Sequence, residues 1–234
     1  MNTSVRIKGA LFDVDGTLVL SNEAHAQAWV EAFASFGITV PIEHVRPLIG
    51  MGGDKLVPAL APALSSDTGM GKEIAERHKQ CFLSEYVPTL RPAPGARDLC
   101  LHLRDQGLQL STATSANAEE LSRLLEIADV KDVFEAKGGS DDKDSKPSSD
   151  VVVAALARIR LKPEEVIMVG DTPYDIESAR KCGIRTIAVR CGGWDDARLR
   201  DAIAIYDDPA DLLARYWESP FGRAAGPASS DGPR

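Results

Sequence analysis

No apolar run in this 234-residue sequence reaches the ~18 residues of a membrane span, and no membrane partner is expected. The first apolar run, Gly9 to Val14, is broken by Asp13 and followed by Asp15, so it is not expected to serve as the core of a signal peptide. Cysteine is scarce: Cys81, Cys100, Cys182 and Cys191 are scattered without a close pair, which excludes a disulfide-stapled scaffold and predicts a reduced, cytoplasmic protein. Basic residues are outnumbered, 27 Lys and Arg against 35 Asp and Glu, for a formal charge of −8. With no concentrated basic patch, nucleic acid is not expected as a partner. An anionic substrate is still allowed if a local positive site receives it. Internal repeats are absent too. What is present is ordinary for a globular chain, 44% hydrophobic and 26% charged residues, which excludes a disordered or collagen-like chain. At roughly 100–200 residues per domain, one large domain or a domain with an insertion is predicted.

Val5 to Phe12 reads as a buried strand ending at Asp13. From Asn22 to Tyr86 the pattern is helical, with Ala28, Ala32 and Phe36 four apart and Gly37 as a stop, and with Gly50, Gly52, Gly53, Pro58 and Pro62 as breaks. Pro88, Pro92 and Pro94 mark a rigid connection, after which strands and helices alternate. Strands are predicted at Leu108–Ala113, Val133–Ala136, Val166–Val169, Thr186–Val189 and Ala202–Ile205. Asn117 with Glu120 signals a helix start, Pro147 to Ile159 reads as a helix, and Thr172-Pro173 opens a helix closed by Gly183. This rhythm predicts an α/β fold: a doubly wound, Rossmann-like parallel sheet with an inserted α-helical cap. The expected division is a core of residues 1–19 and 90–218, a helical cap of 20–89, and a disordered tail of 219–234 rich in Pro, Gly, Ala and Ser.

Three strands end in polar groups: Asp13-Val14-Asp15-Gly16-Thr17, Thr114-Ser115, and Gly170-Asp171-Thr172-Pro173-Tyr174-Asp175. In a doubly wound sheet the carboxyl ends of the strands face the ligand, so these groups are predicted to meet. Lys146 precedes a helix and can reach the same edge. Clustered carboxylates repel one another and call for a cation, and all-oxygen ligation suits Mg²⁺. The cation with Lys146 would neutralise a phosphoryl group, Thr114 would hold its oxygens, and a carboxylate can attack phosphorus.

Asp13-x-Asp15-Gly16-Thr17, Thr114, Lys146 and Gly170-Asp171-x-x-x-Asp175, in this order, resemble the four motifs of the haloacid dehalogenase superfamily. The resemblance covers about residues 5–215 and is nearest the phosphoglycolate phosphatase and β-phosphoglucomutase-like members with a helical cap. It implies a Mg²⁺-dependent phosphatase acting on a small phosphorylated metabolite, as a monomer or weak homo-oligomer. Asp13 would be the nucleophile that forms an aspartyl phosphate. Asp15 would be the general acid and then the base. Asp13, Asp15 through its carbonyl, and Asp171 would bind the metal, with Asp175 supporting them. Thr114 and Lys146 would fix the transferring phosphoryl group. Dehalogenases need neither the metal nor the Asp15 acid, so Asp15 favours phosphorus chemistry.

Each residue also has a plain structural role open to it. Strand-end Asp residues and Thr114 serve as caps, Ser115 is a cap or loop residue, and Lys137 and Lys143 compete with Lys146. His25, Arg46, Gly52, Lys55 and Ser115 are the candidate substrate contacts, the Gly50–Lys55 loop being similar to a cap loop of the family. Trp29 and Phe33 read as cap core, and His44, His78 and His102 as structural or solvated. Competing activities are a β-phosphoglucomutase-like phosphomutase and a phosphonate hydrolase using Lys55. Outside those, a signalling receiver domain has its phosphorylated Asp elsewhere, and a non-catalytic binding protein would be marked by a lost motif residue; none is lost here.

Overall fold

The Gly9–Phe12 segment is fully buried and forms an interior strand, β1, of a five-stranded sheet. The computed structural model describes residues 6–134 and 145–225. Between β1 and β2 (Gln109–Thr112) lie α1 (Asn22–Ser35), α2 (Ile42–Val45), α3 (Gly53–Leu60), α4 (Gly69–Cys81) and α5 (Ala96–Asp105). Next come α6 (Ala118–Ile127), α7 (Asp150–Ile159), β3 (Val166–Gly170), α8 (Pro173–Lys181) and β4 (Arg185–Val189). The chain continues through α9 (Asp196–Leu199), β5 (Ala204–Tyr206), α10 (Pro209–Ala214) and α11 (Pro220–Ala225).

All pairings are parallel, in the order β2-β1-β3-β4-β5. The chain winds outward one way through β2 and the other way through β3, so β1 sits at the switch point, where a crevice opens beyond the strand ends. Alternation along the strands feeds two layers. Phe12, Leu110, Val169 and Val189 pack with Leu99, Leu103 and Leu124 on one face. Leu11 and Met168 pack with Val152, Ala155 and Ala179 on the other.

A third apolar cluster, among Trp29, Phe33, Val45, Leu56, Val57 and Ile74, belongs to the helices that follow β1. The chain leaves and re-enters the sheet layers at one place. Leu20 donates its N–H to Arg91 (3.0 Å), and Ala93 donates to Leu18 (2.9 Å), so the two connections run side by side.

Several boundaries differ from the sequence reading. Residues 133–134 form no strand: Val133 donates its N–H to Val130 in a turn, and Val133 and Phe134 are buried in the core, while Ala136 lies outside the described residues. The helix expected from Pro147 begins at Asp150, because residues 145–148 close a turn through the Ser148 N–H and the Ser145 carbonyl (2.9 Å). Ser219 to Ala225, expected within a disordered tail, is ordered: Ser219 Oγ caps the turn and Phe221 is buried beside Tyr216 in the main core. One aromatic residue outweighs the polar composition around it. Residues 226–234 lie outside the described residues, as do Lys137 and Lys143.

Candidate active site

Asp13 follows β1, Thr114 follows β2 and Asp171 follows β3, so parallel register delivers all three to one edge. Asp175 is brought back by the first turn of α8, where Thr172 and Asp175 cap each other: Thr172 N–H donates to Asp175 Oδ2 (3.0 Å) and Asp175 N–H to Thr172 Oγ1 (3.2 Å). Lys146 Nζ lies 2.6 Å from Asp175 Oδ1 and donates to Asp13 Oδ1, with its side chain only 2% exposed. A lysine so buried persists only when paired. Burial would lower its pKa, but Asp13 and Asp175 outweigh burial and hold it above its ordinary value.

The carboxylates of Asp13, Asp171 and Asp175 each offer an oxygen within 4.8 Å of the others, and all three residues are buried. Burial drives the Asp13 carboxyl up, Lys146 opposes it, Asp175 and Asp15 add to it, and the balance is about 7. Asp171 is also pushed well above the usual range, by burial and then by Asp13 and Asp175. A hard cation would reverse both shifts, so the donor set, all carboxylate oxygen, fits a divalent metal. The backbone makes room for it: a Cβ on Gly192 would collide with the Asp171 carboxylate. Gly192→Ala is therefore expected to cost about 1–3 kcal/mol in urea unfolding, and an unchanged midpoint would contradict this packing.

Asp175, expected only to support the ligands, lies within the carboxylate cluster itself. The Asp15 carboxylate, by contrast, lies outside it and groups with His25 and Glu120 instead. Asp15 Oδ1 accepts from Ser21 Oγ (2.5 Å) and faces His25 Nε2 (3.0 Å), and Glu120 Oε1 lies 3.4 Å from the same nitrogen. Burial pushes Asp15 up, but His25 and Ser21 outweigh it and hold the carboxyl below its ordinary value. Burial alone would lower His25; Asp15 and Glu120 raise it instead. Glu120 is pushed up to about 7, chiefly by burial. His78 is driven well below its ordinary value by burial and by the His25 charge, so it stays neutral. A charged His25 then donates Nδ1–H to His78 Nε2, 3.3 Å away. His78 stacks on Trp29 (3.9 Å) and His25 on Phe82 (3.7 Å), which fixes both rings.

Asp13, Asp15, His25, His78, Glu120 and Lys146 line a cavity of about 230 Å³. Asp13, Asp15, Thr114, Ser115 and Lys146 form its floor, and Trp29, Met51, Gly52, His78 and Lys79 face them from the helices after β1. Thr114 Oγ1 accepts the Ala116 N–H (3.1 Å), and Ser115 Oγ accepts the Lys146 N–H (3.2 Å). Of the candidate substrate contacts, His25, Gly52 and Ser115 reach the cavity, but Arg46 and Lys55 do not. Arg46 makes two bonds to Glu23 (2.8 and 2.6 Å) beside a separate cavity, and Lys55 lies 3.2 Å from Asp54. Arg46 thus turns to a carboxylate of α1, and Lys55 lies beside its chain neighbour.

Ser145, Asp54, Glu120 and His78 were not expected at the site. Ser145 Oγ donates to Asp54 and accepts the Gly52 N–H (3.0 Å), which ties the glycine loop to the segment carrying Lys146. Its adjacency to Lys146 was the available signal. Glu120 was legible only as a partner of Asn117, which caps α6 by accepting the Glu120 N–H (3.1 Å).

Comparison with known proteins finds relatives of this chain. A family model described as haloacid dehalogenase-like hydrolase matches residues 10–189. The chain is 28% identical to a phosphoglycolate phosphatase of Salmonella paratyphi A, over 91% of this chain and 94% of that protein. It is 26% identical to a phosphorylated carbohydrates phosphatase of Thermotoga maritima, over 77% of this chain and 84% of that one. The crystal structure of a hydrolase from Pseudomonas syringae superposes with a TM-score of 0.83 at 26% identity, covering 90% of this chain and 98% of that one.

Proposed function

The chain belongs to the haloacid dehalogenase-like hydrolase family, and on that premise we propose that it is a Mg²⁺-dependent phosphatase of a small phosphorylated metabolite. The observation that carries the proposal is the separation of two neighbouring carboxylates. Asp13 sits with Lys146 and the carboxylate cluster, whereas Asp15, two residues on, sits with His25. One is placed to attack and the other to move a proton.

In this reading Asp13 Oδ attacks phosphorus, the new O–P bond forms as the bond to the leaving oxygen breaks, and an aspartyl phosphate results. Asp15 delivers a proton to the leaving oxygen. In the free enzyme that proton resides on His25 Nε2, so it first passes along the 3.0 Å contact to Asp15 Oδ1. Asp15 then takes a proton from the water that attacks the aspartyl phosphate, which returns Asp13 and frees phosphate. Lys146 and Thr114 hold the phosphoryl oxygens throughout. Asp13, Asp171, Asp175 and the Asp15 carbonyl would hold Mg²⁺, which supplies charge neutralisation at phosphorus. The helices of residues 20–89 act as the cap: Ile49, Met51 and Trp29 line the cavity of about 230 Å³, a size that suits a small substrate. Phosphorylated small molecules are also what the names of both phosphatase relatives indicate. Four unpaired thiols suit a reducing, cytoplasmic location, and no described helix is long and apolar enough to cross a membrane.

The test is phosphate release from a panel of phosphoglycolate, hexose phosphates, nucleotides and an aryl phosphate, with Mg²⁺ and with chelator. Mg²⁺-dependent release is expected, fastest on a small substrate. Isomerisation of β-glucose 1-phosphate without release would replace the phosphatase reading by a mutase.

A further inference from the structure

Asn22 is the first residue of α1 and belongs to none of the four motifs. Its amide is fully committed on the nitrogen side. Nδ2 donates to Asp171 Oδ2 (2.7 Å) and to the Gly192 carbonyl (2.8 Å). Thr17 Oγ1 donates to the other oxygen of Asp171 (3.2 Å), so the carboxylate is gripped from both sides. Two glycines make this possible. Gly16, at φ +76, would clash through a Cβ with both Asn22 and Asp171, and Gly192 would clash with Asp171.

The carbonyl side of the same amide is unspent. Asn22 Oδ1 is buried and has no hydrogen-bond partner. Rotating the amide does not relieve it, because Oδ1 would then face the Asp171 carboxylate and the Gly192 carbonyl, two acceptors. The orientation is therefore set, and the buried acceptor belongs to an amide whose nitrogen lies 2.7 Å from Asp171, a member of the carboxylate cluster. Such an acceptor calls for a donor. Mg²⁺ and Mn²⁺ retain several of their waters when bound by a few carboxylates, and those waters are strong donors.

We propose that Asn22 is a positioning residue for the metal: it orients Asp171 through Nδ2 and offers Oδ1 to a water carried by the bound cation. This rests on the metal reading above and assigns a residue beyond the motif carboxylates. Hydrogen-bonding partners of metal ligands typically contribute 10–100-fold in metal affinity.

The probe is Mn²⁺ alone, its free fraction counted by electron paramagnetic resonance in metal-stripped protein without substrate. Wild type, Asn22→Ala, Asn22→Leu and Asp171→Asn are compared, with Gln27→Ala on the same helix as the control. Leu fills the volume of Asn without its polar atoms, so it keeps the packing that Ala gives up. Both Asn22 variants are expected to raise the Mn²⁺ dissociation constant by about 10-fold or more, with Gln27→Ala unchanged. Wild-type binding that is lost in Asp171→Asn but kept at full strength in Asn22→Leu overturns the assignment of Asn22 alone. If wild type binds no Mn²⁺ that Asp171→Asn removes, the metal reading itself falls, and the assignment with it.

Discussion

Asp13→Asn is expected to reduce turnover by on the order of 10⁴-fold or more, the scale seen when a nucleophile is removed from a group of residues acting together. Asn has nearly the same shape but cannot attack phosphorus. The fold is expected to survive, because Lys146 keeps its contact with Asp175 at 2.6 Å. Stability adds a second readout, with a definite sign. The Asp13 carboxyl rises from an ordinary 3.8 to about 7 on folding, so the folded protein binds its proton more tightly than the unfolded chain. A group raised in this way makes the protein lose stability as pH climbs from its unfolded to its folded value. In chelator, wild type should therefore lose ground to Asp13→Asn between pH 3.8 and about 7. Urea unfolding of both proteins at about pH 4.5, 6 and 8 measures this. Full turnover in the variant would remove Asp13 as nucleophile, and a pH-independent difference would contradict the upward push of burial on its carboxyl.

Lys146→Ala is expected to remove turnover and also to destabilise the metal-free protein by about 3–5 kcal/mol at neutral pH and above, the usual cost of stranding a buried charge. The lysine side chain is 2% exposed, against 6% for Asp13 and 0% for Asp175, so water cannot take its place. Without the ammonium, nothing opposes burial at Asp13, and its carboxyl is pushed up further. The defect should then shrink at low pH, where the Asp13 carboxyl is protonated, and grow as pH rises. A divalent cation added to the variant should restore part of the loss through binding to the folded state. A cost below about 1 kcal/mol at pH 8 would place Lys146 with ordinary surface ion pairs and against its buried role.

The strand-end motifs were legible because they depend on local chain chemistry. An apolar run followed by Asp13-x-Asp15 or by Gly170-Asp171 identifies a buried strand and what it carries to its end, and parallel pairing brings those ends together. Ser219 to Ala225 shows the limit of composition. Its Pro, Gly and Ala suggest disorder, yet one buried Phe221 anchors it. The cap residues show another limit. Arg46 and Lys55 are cations near a glycine loop, but Glu23 and Asp54 claim them at 2.6 and 3.2 Å. The Arg46 pair spans 23 positions and depends on distance in space, which spacing along the chain does not report.

The sequence by itself determined the alternating α/β architecture, the helical insertion after the first strand and the identity of the charged groups at the strand ends. Those follow from periodicity of two or 3.6 residues and from residue type. Only the tertiary structure decided their division of labour. It set Asp13 against Lys146 and Asp15 against His25, drew Asp175 into the carboxylate cluster, and placed Asn22 on Asp171 from 149 positions away. Electrostatic roles depend on burial and on charges a few ångströms off, and both are properties of the packed molecule rather than of the chain.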